Sequence, residues 1–195
     1  MSFEGLDGSG KSTQARLLRD ALVASGREVV LTREPGGTEL GERIRELLLN
    51  GGQMAPWAEA ALFAAARAEL VARVVAPALG RGADVVCDRF VDSSLAYQGI
   101  ARGLGVDKVL ELNLTAVGGL LPDRTFLLLL DPVECVRRSG ETDRFEREGG
   151  AFRKAVDSAY RELAAAFPER IVVHDGTLPP EELAERIHGQ LRILS

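Results

Sequence analysis

The chain has 195 residues and a mass of 21.0 kDa, is 46% apolar, 27% charged and 5% aromatic, and carries a net charge of −5 with a pI near 5.2. These values exclude collagen-like, disordered and low-complexity chains and predict one domain, residues 1–195, with an ample core. No stretch reaches the roughly 18 uncharged apolar residues of a membrane span, Met1-Ser2-Phe3-Glu4 does not open a secretion signal, and the acidic balance disfavours a sequence-blind grip on DNA or RNA, so a cytoplasmic protein with neither membrane nor nucleic acid as partner is expected.

In chain order, Ser2 to Glu4 reads as a strand fragment that enters the glycine-rich stretch Gly5-Leu6-Asp7-Gly8-Ser9-Gly10-Lys11-Ser12. Leu17, Leu18, Ala21 and Leu22 then recur at helical spacing as far as Ser25-Gly26. Glu28 to Thr32 is a second strand, Glu39 to Leu49 and Trp57 to Leu79 are helical, and Ala83 to Cys87 is a third strand ending at Asp88-Arg89. Helices follow over Ser93 to Ala101 and Val106 to Val117. Thr125 to Leu130 is the continuous apolar run of a strand buried on both faces, and Asp131-Pro132 closes it and opens a helix. A charged stretch, Arg137 to Gly150, leads into a helix from Phe152 to Phe167, with a last strand at Ile171 to Val173 and a last helix from Pro179 to Leu194.

Strands alternating with helices predict an α/β fold with a five-stranded parallel sheet, helices on both faces and no linker that would divide the chain. In such sheets ligands collect at the carboxyl ends of the strands. The three most polar junctions, Gly5 to Ser12, Arg33 to Thr38 and Asp88 to Ser94, all follow strands and are expected to share one rim. Cys87 and Cys135 have no metal-ligand spacing and are expected to be buried apolar residues. His174 and His188 are expected to have no part in the chemistry.

Gly5-x-x-x-x-Gly10-Lys11-Ser12 fits the phosphate-binding loop pattern in full, in its required context between a strand and a helix. Among 24 basic residues only Lys11, Lys108 and Lys154 are lysines, so a lysine at the loop's fixed position is informative. The glycines let successive amides converge on phosphate oxygens, the helix N-terminus adds positive potential, Lys11 neutralises the terminal phosphates and the Ser12 hydroxyl can reach Mg²⁺. Gly5, Leu6, Asp7, Gly8, Ser9, Gly10, Lys11, Ser12 and Thr13 are therefore the candidate ATP-binding residues. Lys108 and Lys154 stand in Asp-Lys-Val-Leu and Arg-Lys-Ala-Val, so the base-reading loop of a guanine-specific GTPase is absent from the sequence. The run ending at Asp131-Pro132 lacks the acidic pair of motor ATPases. A small kinase remains the best fit.

Four segments, Phe3-Glu4-Gly5-Leu6-Asp7-Gly8-Ser9-Gly10-Lys11-Ser12-Thr13-Gln14, Thr32-Arg33-Glu34-Pro35-Gly36-Gly37-Thr38, Asp88-Arg89-Phe90 and Ser93-Ser94-Leu95-Ala96-Tyr97-Gln98-Gly99, resemble bacterial thymidylate kinase over nearly the whole chain. The resemblance implies a P-loop nucleoside monophosphate kinase fold with a mobile basic lid at about 137–150, and Mg²⁺-dependent transfer of the γ-phosphoryl group of ATP to dTMP. It assigns Asp7 to the dTMP 3′-hydroxyl, Arg89 to its phosphate, and Asp88, with Ser12, to the neighbourhood of the metal. Arg33 and Arg45 are placed near the acceptor phosphate; Phe63, Arg67, Ser94 and Gln98 read thymine, and Tyr97 crowds the sugar 2′ position. Phe63 and Arg67 are four apart, as are Ser94 and Gln98, so each pair can point one way from its helix.

The lid reads Arg137-Arg138-Ser139-Gly140-Glu141-Thr142-Asp143-Arg144-Phe145-Glu146-Arg147. Gly8 stands where a P-loop arginine would otherwise be, so by resemblance the lid supplies the catalytic arginine. Ser139 replaces the arginine that the resemblance places before the glycine, which leaves Arg138 and Arg144 as alternatives beside Lys11 and Arg89. A phosphate monoester needs cations to align it with ATP and no general base. A deoxynucleoside kinase, a nucleotide-binding regulatory module and, more remotely, a DNA-binding protein are the rival readings. Ala60 to Ala66, uninterrupted by charge, suits burial against a second subunit, and a homodimer is expected. The first strand is shorter than the resemblance leads one to expect, so a form with a longer N-terminus is expected to melt higher.

Overall fold

The computed structural model describes residues 1–139 and 144–191. Its centre is a five-stranded parallel sheet in the order β2-β3-β1-β4-β5, built from β1 (Ser2–Glu4), β2 (Val29–Arg33), β3 (Asp84–Asp88), β4 (Thr125–Leu129) and β5 (Ile171–Asp175). The central strand is also the shortest: Ser2 and Phe3 pair with Cys87 and Asp88 on one side, and Ser2 to Glu4 pair with Thr125 to Leu127 on the other. Every β1 residue is buried, as is β4 from Thr125 to Leu128, which explains why these strands read as continuous runs and not as alternating ones.

Two cores flank the sheet. On one face, α1 (Lys11–Ala24) and α9 (Pro180–Leu191) bring Ala15, Leu18, Leu22, Leu183 and Ile187 against Phe3, Val86, Phe126 and Leu128. Burying each large side chain there contributes about 2 kcal/mol. On the other face, α3 (Pro56–Leu70), α6 (Val106–Ala116) and α8 (Gly150–Ala166) cover the sheet with Leu70, Val109, Val156 and Leu163. A smaller cluster, Ile44, Leu48 and Ala66, joins α2 (Glu39–Asn50) to α3, with Phe63 packed beside it.

Helix boundaries follow local chemistry. Thr38 caps α2 by accepting a hydrogen bond from the Gly41 amide at 3.0 Å, with Glu39 and Glu42 in the first turn. Asp131 caps α7 (Pro132–Arg138), accepting from the Val133 amide at 2.8 Å, with Pro132 at the position where its missing N–H costs nothing. The helix expected from Trp57 to Leu79 is interrupted: a π-helical turn, Val71–Val75, separates α3 from α4 (Ala76–Gly80). Pro77 explains it, since it has no N–H for the Arg73 carbonyl and its ring would collide with that group. A second π-helical stretch, Leu95–Ala101, continues α5 (Val91–Ser94) and carries Tyr97 and Gln98. Such widened turns often re-aim side chains at functional sites. β1 keeps its expected limits, and the other strands start or end one or two residues from theirs, β5 running on to Asp175.

Cys87 and Cys135 are free and buried, as expected of small apolar residues. Of the lid stretch, residues 140–143 lie outside the described residues, while Ser139 and Arg144 to Gly150 are within them. Among the described residues no helix is long and apolar enough to cross a membrane.

Candidate active site

The glycine loop after β1 is shaped by close approaches that only glycine permits. Gly5 has φ 138°, and a Cβ there would lie 2.5 Å from the Leu128 carbonyl oxygen; Gly8, at φ 86°, presses against the backbone of Cys135. α1 begins at Lys11 with neither a side-chain cap nor an acidic residue in its first turn, which leaves its amides for an anion. Lys11 reaches back to the Leu6 carbonyl at 2.8 Å and lies 3.4 Å from Asp7. Burial and the nearby Arg89 lower its pKa, so an incoming phosphate relieves a strained cation. Ser12 Oγ donates to Asp88 Oδ2 across the loop mouth. One cleft runs from Gly8 to Gln14 past Arg33, Asp88, Arg89 and Arg138 to Gly176, Leu178 and Pro180, so the three polar junctions do share a rim.

Arg89 joins this cleft to a second one. Its backbone has φ 70°, which a non-glycine residue rarely adopts, and is held there by its amide donating to the Phe3 carbonyl at 2.9 Å. Its guanidinium donates to Asp7 at 2.7 Å, to Ser93 at 3.1 Å and to Tyr160 at 3.2 Å, and it stands 5.5 Å from the centroid of the Tyr97 ring. Burial opposes the charge on Asp7, but Arg89 and Lys11 outweigh it and hold the carboxyl below its usual range. Beneath them lies Glu4, fully buried, accepting from the Phe90 amide at 2.7 Å, Ser93 Oγ at 2.6 Å and Tyr160 at 2.8 Å. Burial raises its pKa. Glu4 thus shapes the turn that aims Arg89.

The second cleft is lined by Asp7, Glu34, Pro35, Arg45, Leu49, Phe63, Arg89, Ser93, Ser94, Tyr97, Gln98 and Phe145. Phe63 and Tyr97 flank Phe145, with ring centroids 5.9 and 5.6 Å away. Arg45 donates to the Pro35 carbonyl at 3.0 Å across a cis Glu34-Pro35 bond. Arg67 lies behind this surface, 1% exposed, donating to Glu34 at 2.6 Å, Ser94 at 3.0 Å, the Phe90 carbonyl at 3.0 Å and Asn113. Burial lifts the Glu34 carboxyl to about 7 against the pull of Arg67, and its other oxygen, Oε1, has no hydrogen-bond partner among the described residues.

The structure therefore gathers Asp7, Arg45, Phe63, Arg89, Ser94, Tyr97 and Gln98 around one cleft, with Arg67 supporting it, and Lys11, Ser12, Thr13 and Asp88 around the other. Arg33 reaches the rim of the loop cleft but is ion-paired with Glu42 at 2.9 Å and half exposed. The two candidate arginines of the lid separate. Arg138 lines the loop cleft and donates to the Gly176 carbonyl at 3.2 Å, whereas Arg144 is buried against α2 and α3, 2.7 Å from Glu59 and 2.7 Å from the Leu48 carbonyl. Sequence reasoning overlooked Glu4, Glu34, Glu59, Asn113, Phe145 and Tyr160. For Glu4 and Glu59 a signal existed: a carboxylate within a buried run demands a partner.

A P-loop after the central strand of a parallel sheet, with a second aromatic and basic cleft that shares Asp7, Arg45 and Arg89 with it, defines a P-loop nucleoside monophosphate kinase fold. A family model described as thymidylate kinase matches residues 3–187. The chain is 51% identical over 181 residues to the thymidylate kinase of Pelotomaculum thermopropionicum, covering 90% of this chain and 84% of that one. It is 51% identical over 196 residues to the thymidylate kinase of Leifsonia xyli subsp. xyli, covering 98% and 93%. The crystal structure of thymidylate kinase from Ehrlichia chaffeensis superimposes with a TM-score of 0.82 at 32% identity over 98% of this chain and 96% of that one. The chain belongs to the thymidylate kinase family.

Proposed function

We propose that this protein transfers the γ-phosphoryl group of ATP to dTMP, giving ADP and dTDP. The observation that carries the reading is the position of Arg89, which lines both clefts beside Asp7, between a loop suited to a triphosphate and a cleft suited to a nucleoside monophosphate. Two nucleotides bring roughly six negative charges together, and Lys11, Arg89, Arg45 and Arg138 offset them. The phosphate oxygen of dTMP that attacks is already anionic at neutral pH, so no side chain has to remove a proton. The half-buried rings of Phe63 and Tyr97 beside Gln98 and Ser94 support a flat base with hydrogen-bonding edges in the second cleft, and the Asp7 carboxylate supplies an acceptor for a sugar hydroxyl.

Ser12 and Asp88 fit a hard cation, because a hydroxyl and a carboxylate already within hydrogen-bond reach at the loop mouth are oxygen ligands of the kind Mg²⁺ takes alongside water and phosphate. Bound there with ATP, Mg²⁺ neutralises charge on the transferring phosphates. Of the lid residues, Arg138 is the one we assign to the reacting phosphates, on its place in the loop cleft. Residues 1–195 act as one domain, and the lid at about 137–150 covers the cleft when substrates bind.

A homodimer is supported by the outer face of α2 and α3, where Leu40, Leu47 and Trp57 are 48%, 55% and 46% exposed and Ala58, Ala61 and Ala65 form an apolar stripe on α3. Sedimentation equilibrium should give twice the chain mass.

A coupled assay of ADP release tests the activity. Rapid turnover with ATP, Mg²⁺ and dTMP is expected, with thymidine at most a weak acceptor. No ADP release with dTMP would favour a regulatory nucleotide-binding module, and preference for thymidine would favour a nucleoside kinase.

A further inference from the structure

Glu59 is one of the buried carboxylates that the proposed reaction leaves unused. It lies in the first turn of α3 and is 1% exposed. Its Oε1 accepts from Gln98 Nε2 at 2.8 Å. Its Oε2 pairs with Arg144 at 2.7 Å and with Arg102, from the end of the π-helical stretch, at 3.2 Å. Arg102 also holds Glu148 at 2.6 Å, and the Arg144 amide donates to the Leu49 carbonyl at 2.9 Å. The cluster is therefore fixed from three sides.

We propose that Glu59 is a positioning residue: it decides which end of the Gln98 amide meets the nucleotide base, selecting a pyrimidine with a donor at N3, and the same carboxylate anchors the segment that brings Phe145 over that cleft. The inference rests on the dTMP reading given above. A carboxylate has only acceptors, so it can bind the amide nitrogen of glutamine and not the oxygen. With Nε2 committed to Glu59, the amide end left for the cleft is Oε1, an acceptor. Thymine and uracil offer N3–H to it, whereas cytosine offers a lone pair that it repels. A glutamine amide is nearly symmetric in shape, so packing alone would hold the two orientations about equally, and charge must make the choice. The second half follows from the same atoms. Arg144 precedes Phe145, and Phe145 packs between Phe63 and Tyr97, so removing the Oε2 contact loosens the residue that covers the base.

The test compares kcat/KM for dTMP and dCMP in the wild-type protein, in Glu59→Gln, which can present either a donor or an acceptor to Gln98, and in Glu59→Asp, which stays acceptor-only. In Glu59→Gln the dTMP preference over dCMP should fall about tenfold, chiefly through a higher KM for dTMP with kcat changed less, and Glu59→Asp should restore the preference. Equal losses for both substrates, or an unchanged ratio, would overturn the inference and leave Glu59 a scaffold residue. Wild-type protein without dTMP turnover would instead overturn the functional reading. Should Glu59→Gln fail to fold, NMR of the wild type decides: the Gln98 side-chain amide protons should show contacts to α3, and contacts of those protons to bound dTMP would refute the proposed orientation.

Discussion

The two halves of the cleft are made from different materials. At the phosphate loop, residues 7–14 supply the groups that would meet the donor from one unbroken segment, through backbone amides placed by Gly5, Gly8 and Gly10. The acceptor half draws Arg45 from α2, Phe63 from α3, Ser94 from α5, Tyr97 and Gln98 from the π-helical stretch after it and Phe145 from the lid stretch, and steadies them with buried pairs such as Arg67 with Glu34 and Arg144 with Glu59. A backbone-built site tolerates loss of a side chain without unfolding. A site built on buried charge pairs does not, because one missing partner leaves the other desolvated and unmet. The contrast can be broken by experiment.

The largest effect is expected at Lys11. Lys11→Ala should lower kcat for dTDP formation by about a thousandfold, about 4 kcal/mol of transition-state stabilisation, while the thermal midpoint stays within a few degrees. Stability is spared because burial already disfavours the Lys11 cation in the free protein. A midpoint that collapses together with the rate would remove the distinction between the halves. On the other side, Arg67→Ala should destabilise by about 3 kcal/mol in urea titrations, since it strands Glu34 and Asn113 in the interior. Restoring part of that loss with Glu34→Gln in the Arg67→Ala background would show that the unpaired carboxylate is its source.

The acceptor half should also be the pH-sensitive one. Burial raises the Glu34 carboxyl from 4.5 to about 7, so between those values the folded protein holds a proton that the unfolded chain has released. The contribution is therefore full below about pH 4.5 and is lost as pH rises to about 7, by about 3 kcal/mol. Glu4, also raised by burial, titrates in the same sense. The difference in stability between the wild type and Glu34→Gln, followed from pH 5 to pH 8, isolates the Glu34 part; a difference that does not vary with pH would refute it. Next in size is the pair of arginines from the lid stretch. Arg138→Ala should cost about thirtyfold in kcat with stability unchanged, about 2 kcal/mol, whereas Arg144→Ala should weaken the fold and raise the KM for dTMP. The reverse pattern would return the catalytic role to Arg144.

The same contrast explains what the sequence made legible. Gly5 to Ser12 could be read because its chemistry is local: spacing along the chain is spacing in the site. The buried strands announced themselves by continuous apolar runs, and Asp131-Pro132 announced α7. Arg67 could be placed near the base cleft, but nothing local told that Glu34 and Asn113, 33 and 46 residues away, would occupy its donors. Arg138 and Arg144 were indistinguishable in sequence, both being arginines in one charged stretch, because their separation depends on Glu59 and on the Leu48 carbonyl. The break in the long helix was written at Pro77, but an apolar run that continues past it concealed the cost.

The smallest prediction concerns the start of α2. α2 carries Arg45 and Leu49 into the acceptor cleft, and its start is fixed by Thr38 accepting from the Gly41 amide at 3.0 Å, close to Glu42, which accepts from the Gly37 amide at 2.9 Å and from Arg33. Thr38→Ala removes one of these caps and should cost about 1 kcal/mol in unfolding free energy. Because α2 is also held by Ile44 and Leu48 packing with Ala66, by Arg45 on the Pro35 carbonyl and by Arg144 on the Leu48 and Leu49 carbonyls, the helix should keep its place. The KM for dTMP should then change less than twofold, and the KM for ATP not at all. A dTMP-specific rise well beyond that would mean that the acceptor half depends on the local chemistry of its helix ends as well as on buried pairs, which would narrow the difference between the halves.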